Sequence, residues 1–131
     1  MKVVAIRQFR YGSNEWGLEL PGGCRESDKD TWESVARREL LEETGYGADT
    51  MTKLLTQLWI DPASCYTPFV PMLARGCRKL QDPKLDAGEL IETILLDLDH
   101  WIQLIHNGGV LDSRSIAITF LALPILKPST I

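Results

Sequence analysis

No apolar run in this chain approaches the roughly 18 residues that a membrane-spanning helix needs, which predicts no membrane partner. Cysteine is scarce: Cys24, Cys65 and Cys77 are an odd number with no Cys-x-x-Cys spacing. They suit neither a disulfide framework nor a zinc site, and they read as reduced thiols of a cytoplasmic protein. An excess of basic charge is also missing, with 14 Lys and Arg against 18 Asp and Glu and a net charge of −4. That balance argues against a nucleic-acid groove. It suits a site where protein carboxylates and substrate phosphates share a cation. Repeats, linkers and low-complexity tracts are lacking too. With 44% apolar content, residues 1–131 are expected to form one globular domain able to bury a real core. A charged strand starts within a few residues of Met1, which predicts no signal peptide and no separate N-terminal domain.

What is present concentrates in residues 22–46, GGCRESDKDTWESVARRELLEETGY. Asp30 or Thr31 can cap a helix here, with Glu33 as the capping-box partner of Asp30. Gly45 is placed for a left-handed C-terminal cap. At about 100° per residue, Trp32, Val35, Ala36 and Leu40 mark an apolar face. Glu39 and Glu43 intrude into that face, and Glu42 lies at its margin. Like charges three or four apart repel by about 0.2–0.5 kcal/mol per pair when exposed. Half buried, they cost several times more unless neutralised. A hard divalent cation supplies the neutralisation, since Mg²⁺ favours carboxylate oxygens and keeps several waters. The plain alternative is a solvated acidic helix with Arg38 and Glu42 as an ordinary i, i+4 pair. The Gly-Gly approach and the intruding carboxylates weigh toward the cation.

Around this stretch strands and helices alternate. Residues 3–9 begin as a buried run, VVAI, and continue as RQFR, which favours a strand. Tyr11-Gly12-Ser13-Asn14 is a turn. WGLEL over 16–20 sets Trp and Leu against Gly and Glu, a short strand leading to Pro21-Gly22-Gly23. Those glycines let the backbone come close to a ligand and point a carbonyl at it, although a plain turn explains them equally. Residues 52–60 read as one strand, 61–68 as a loop, and 69–75 as a strand that Pro71 makes an edge or a bulge. Residues 76–88 are polar and loop-like, and 91–96 form another strand. Asp97 or Asp99 caps a helix through Ile105 that closes at Asn107-Gly108-Gly109. Asp112 caps a last helix over 113–123, halted before Pro124. This order predicts an α/β fold, a mixed sheet packed by helices. The last helix is apolar around most of its circumference and must be buried in the fold or at a subunit contact.

Arg38-Glu39-Leu40-Leu41-Glu42-Glu43-Thr44-Gly45-Tyr46 resembles, without a gap, the second half of the Nudix box: Arg-Glu-apolar, any, Glu-Glu, any, Gly-apolar. The first half departs from it. The spacing from Gly23 to Arg38 is one residue longer than the family's, and Asp30 stands where an early Glu is expected. Glu26 fits the Glu that often follows the Gly pair. Outside the box, Val-x-x-Ile-Arg-Gln-Phe-Arg and Leu-Glu-Leu-Pro-Gly-Gly resemble the ADP-ribose pyrophosphatase branch. So do Asp86-Ala-Gly-Glu89-Leu-Ile-Glu92, the later Asn-Gly-Gly, and Leu111-Asp112-Ser113.

The resemblance implies a Nudix-type α/β/α sandwich with a mixed sheet. It implies hydrolysis of the pyrophosphate bond in a nucleoside diphosphate linked to another moiety, with ADP-ribose giving AMP and ribose 5-phosphate as the leading case. Mg²⁺ would be the cofactor, with Mn²⁺ as a substitute. Glu39, Glu43 and the carbonyl of Gly22 would bind metal. Glu42 would bind a second ion or orient water, and Glu89 would complete the site from its loop. Catalytic work would fall to Glu42, Glu43 and Glu89. Gly23, Arg7, Arg10 and Arg38 would face the substrate, Arg being suited to a planar fork onto phosphate; an exposed strand face is the alternative for Arg7. Ala87 and Thr67 stand where relatives tend to carry acidic residues, which leaves Glu89 or a box carboxylate as the base. The short N-terminus leaves a sheet edge that a homodimer would cover. Two other readings fit the same residues: a non-catalytic module that binds nucleotide sugars, and a hydrolase of another dinucleotide or of a nucleoside triphosphate.

Overall fold

The computed structural model describes residues 1–129; residues 130 and 131, the end of the predicted domain, lie outside the described range. The first strand, β1 (Lys2–Arg10), has the β-branched start that suits a pleated surface. A turn through Asn14, at φ 56°, returns the chain as β2 (Glu15–Glu19). Helix α1 (Trp32–Thr44) follows the Gly-Gly loop. Five short strands come next: β3 (Tyr46–Gly47), β4 (Thr50–Lys53), β5 (Leu58–Trp59), β6 (Pro68–Phe69) and β7 (Met72–Arg75). Then come β8 (Arg78–Lys79), the longer β9 (Ile91–Asp97), α2 (Leu98–His106) and α3 (Ser113–Leu126).

β1 is the centre of a three-stranded sheet in the order β2-β1-β9. Its ladders are antiparallel, with Ile6 opposite Glu19 on one side and Thr93 on the other. The pairs β3-β8, β4-β7 and β5-β6 are antiparallel as well. Because side chains alternate along a strand, β1 serves two layers. Ala5 joins Leu98, Trp101 and Val110 in a core that α2 and α3 close with Ile102, Ile116 and Leu123. Ile6, 1% exposed, points to the other face, where α1 lies against β1 and β9. That is an α/β/α sandwich.

Three expectations need correction. The strand expected over 52–60 is two pieces, β4 and β5, and the strand over 69–75 splits into β6 and β7. Pro71 is the reason. Leu54 donates its N–H to the Pro71 carbonyl at 2.9 Å, but Pro71 has no N–H to return, so the β4–β7 ladder stops there. The α1 cap is Thr31, not Asp30. Thr31 Oγ1 accepts from the Ser34 N–H and Ser34 Oγ accepts from the Thr31 N–H, both at 3.0 Å, so Ser34 replaces Glu33 in the box. Finally, α3 runs through Pro124 instead of ending before it. Pro124 lies in the last turn, where the one helical bond it removes belongs to the carbonyl of the exposed Phe120, and the Lys127 N–H still closes onto Leu123 O at 2.7 Å.

Candidate active site

The site is assembled by the two ends of α1 and by what is tied to them. At the C-terminal end Gly45 adopts φ 78° and its N–H bonds Leu41 O at 2.8 Å. A Cβ there would overlap the Gln81 carbonyl, so only glycine allows the 80–81 segment to lie against the helix end. Leu80 donates to Gly45 O at 2.8 Å and Lys84 to Glu42 O at 2.7 Å. These backbone bonds moor the loop that carries Glu89 alongside α1.

Glu43 is 5% exposed and its Oε2 accepts the Gly22 N–H at 3.1 Å. Burial is the main force that lifts its pKa to about 8; the Gly22 bond opposes the rise, and the charges of Glu39 and Glu89 add to it. Glu39 is also raised, first by burial and then by Glu42, with Glu89 and Asp86 contributing. Gly23 is pressed onto Glu39 so closely that a Cβ would overlap the carboxylate, and a side chain there would displace Glu39. Glu89 Oε1 accepts the N–H of Asp86 at 2.7 Å, closing its own turn around the exposed Ala87. Five carboxylates from α1 and one loop therefore share a small region. Their charge is poorly compensated.

The arginines divide. Arg7 and Arg10 lie three residues apart on β1 and so point to opposite faces. Arg7 lies 4.7 Å over the Trp16 ring and 3.3 Å from Glu92, on the α2–α3 side. Arg10 is on the α1 side, where its Nε and its terminal nitrogen fork onto Glu19 at 2.9 and 2.6 Å. Its charge partly offsets that of Glu43. Arg38 turns away from Glu42 to Asp30 at 3.4 Å and to Cys24 O at 3.2 Å, so the ordinary i, i+4 pair is not formed. Asp30, expected where the family has Glu, organises the longer loop by accepting the N–H groups of Glu26 and Ser27 at 2.9 and 3.3 Å.

Two contributors had no role of their own in the sequence reading. Glu19 is 6% exposed, although the WGLEL alternation reads as placing it in solvent; α1 covers that face instead. The available signal was Arg10 across the hairpin from it. Asp86 appeared only within the Asp-Ala-Gly-Glu motif, yet its charge reaches Glu39.

A hard divalent cation fits these donors. They are all oxygens, and Glu43 is a buried carboxyl flanked on its own helix by the half-buried Glu39, one turn before it. Among the described residues no three acidic, His or Cys side chains converge on one point. Glu43 rests on the Gly22 amide and Glu89 on that of Asp86, each satisfied by backbone.

Comparison with known proteins bears on the same residues. The family model described as NUDIX domain matches residues 1–108. The ADP-ribose pyrophosphatase of Bacillus subtilis (strain 168) is 31% identical over 124 residues, covering 93% of this chain and 66% of that protein. The methanol dehydrogenase activator of Bacillus methanolicus is 32% identical over the same length, again covering 93% and 66%. A GDP-mannose pyrophosphatase of Yersinia enterocolitica is 31% identical over 121 residues, covering 87% of this chain and 62% of the relative. The solved structure of an ADP compounds hydrolase superposes with a TM-score of 0.80 at 23% identity, over 95% of this chain and 65% of that one, a likeness of fold. The chain thus spans 62–66% of the length of these curated relatives.

Proposed function

The chain belongs to the Nudix family, and from that premise we propose that it hydrolyses the pyrophosphate bond of a nucleoside diphosphate linked to another moiety, with ADP-ribose as the leading substrate and AMP and ribose 5-phosphate as products. The observation that carries the reading is the buried Glu43 on the inner face of α1, one turn after Glu39 and bonded to the Gly22 amide of the Gly-Gly loop. Glu39, Glu43 and the Gly22 carbonyl would hold Mg²⁺, or Mn²⁺ in its place, with Glu42 and Glu89 completing the set. A cation held there would supply charge to offset the pyrophosphate and to make a water more acidic.

The chain's own residues do the rest. Gly23 keeps the loop backbone against Glu39. Glu89, on the loop moored to α1, takes the proton of the attacking water, Ala87 standing where an additional acid would otherwise share that work. Water attacks one phosphorus in line with the departing phosphate. Arg10 faces this side of β1 and supplies a fork for phosphate, exchanging part of its hold on Glu19. Arg7 stands on the other face and belongs to the outer rim, and Arg38 steadies the loop that brings Gly23 in.

Residues 1–131 act as one Nudix domain in this reading. The three cysteines are free thiols, in keeping with a reducing cytoplasm. No helix among the described residues is long and apolar enough to cross a membrane. A homodimer covers the β2 or β9 edge; monomers at micromolar concentration in sedimentation would count against it. The exposed Ala87 favours a second reading, a module that binds nucleotide sugars without turnover.

One assay separates the two. Release of nucleoside monophosphate from a panel of nucleotide sugars with Mg²⁺ is measured for the wild type and for Glu43→Gln. Turnover by the wild type with a loss of about a hundredfold or more in the variant is expected. Equal rates would remove the metal assignment, and binding without turnover in the wild type would establish the sensor.

A further inference from the structure

The geometry points to Ser115 as a positioning residue that, with Asp112, fixes the Pro21–Gly22 turn against Glu43. Ser115 opens α3 and is 1% exposed. Its Oγ–H donates to Asp112 Oδ2 at 2.6 Å, and its Oγ accepts the N–H of Leu20 at 2.8 Å. Asp112 Oδ2 also accepts the Ser115 N–H at 3.0 Å as the cap of the helix. Two residues beyond Leu20, the Gly22 N–H reaches Glu43. The link between them is stiff, because Pro21 has its φ set by its ring and Leu20 is packed into the α2–α3 core.

The other end of the clasp is equally fixed. The Ser115 carbonyl accepts Thr119 Oγ1–H at 2.7 Å, and Thr119 Oγ1 accepts the indole N–H of Trp101 at 2.9 Å. Trp101 is 1% and Thr119 8% exposed. A fully satisfied polar column therefore runs from α2 through α3 to the Gly-Gly loop. Buried hydroxyls on an otherwise apolar helix cost stability unless every bond is made. Here they place the amide of Gly22. The role of the clasp in catalysis rests on the active-site reading above; its existence does not.

The test uses the full chain with Ser115→Ala, Ser115→Thr and Asp112→Asn. In metal-free protein, amide hydrogen exchange by NMR should show Leu20 and Gly22 faster by about tenfold or more in Ser115→Ala, since a buried N–H loses its acceptor. The Ala5 and Ile6 amides of β1 should keep their protection. Ser115→Thr, which retains the hydroxyl, should restore the wild-type rates. Mn²⁺ titrated by electron paramagnetic resonance without substrate should bind about tenfold more weakly to Ser115→Ala, with kcat reduced more than KM is raised. Unchanged Leu20 and Gly22 exchange would overturn the clasp. Faster exchange with unaltered Mn²⁺ affinity and kcat would leave it a packing feature and overturn the positioning role. Should Ser115→Ala fail to fold, Asp112→Asn reads the same amides with the hydroxyl in place. A wild type that neither binds Mn²⁺ nor turns over would sink the metal reading alone, with the exchange data still deciding the clasp.

Discussion

Helices α1 and α3 flank the central sheet from opposite sides, and each inverts what its composition suggests. α1 is rich in charge, yet it buries Glu43 at 5% and Thr44 at 0% exposure. α3 is apolar, yet it leaves Phe120 74% exposed and hides Ser115 and Thr119. On α3 each buried polar group has its partner within the fold, so that side is rigid and electrically quiet. On α1 the buried Glu43 rests on one backbone amide beside Glu39, and burial keeps it protonated to about pH 8, so that side resists ionisation until positive charge is supplied. The two sides differ in whether their buried groups are neutral or ionisable.

The largest expected effect tests that contrast by pH. In the unfolded chain Glu43 releases its proton near the ordinary carboxylate value of 4.5, whereas in the metal-free fold it keeps it to about 8. The native state binds more protons between these values, so the stability tied to this group is full below about pH 4.5 and is lost as pH rises to about 8. Urea unfolding of metal-free protein should therefore lose up to about 5 kcal/mol across that window. Glu43→Gln should flatten the slope, and saturating Mg²⁺ should reverse it. A flat wild-type profile would break the contrast.

Next comes Arg10→Ala, which strands the buried Glu19. Fully buried pairs cost about 3–5 kcal/mol when one partner is removed. The half-exposed Arg10 side chain reduces that to about 2 kcal/mol. The same change removes a positive charge that holds the Glu43 pKa down, so the loss of stability with pH should continue to higher pH. Chemical denaturation at two pH values checks both.

On the quiet side, Trp101→Phe removes the bond to Thr119 while keeping the ring, for about 1 kcal/mol, measured by the thermal midpoint. The smallest effect belongs to Phe120→Gln on the exposed flank of α3, within about 0.5 kcal/mol. A larger loss there, tracking protein concentration, would show that Phe120 lies in a subunit contact.

Much of α1 could be read directly from the residues. A helix from Trp32 with Gly45 as its left-handed stop, and Glu39 and Glu43 on its inner face, follows from 3.6-residue periodicity and one achiral residue. Other assignments depended on contacts between distant segments. Thr31 outcompetes Asp30 as cap because Asp30 is engaged by the Glu26 and Ser27 amides and by Arg38. The break between β4 and β5 is imposed by Pro71, 17 residues further on than Leu54, whose ladder it ends. Glu19 looked solvated because alternation reveals that a strand has two faces but not that both are covered.

The order of nucleotides in the gene, through the chain, decided which groups could carry the chemistry: three glutamates at fixed helical spacing, glycines before them, and a glutamate far along. Periodicity is local, so neighbours in sequence suffice to specify it. Folding decided how those groups are charged and held. Glu43 becomes a weak acid only when the sheet closes over it, Arg10 and Arg7 part company only when β1 is covered on both sides, and Gly22 finds its place only when Ser115 arrives from 95 residues beyond Leu20. Burial and electrostatic coupling depend on distances through space, and the linear order of residues does not encode those until the chain has packed.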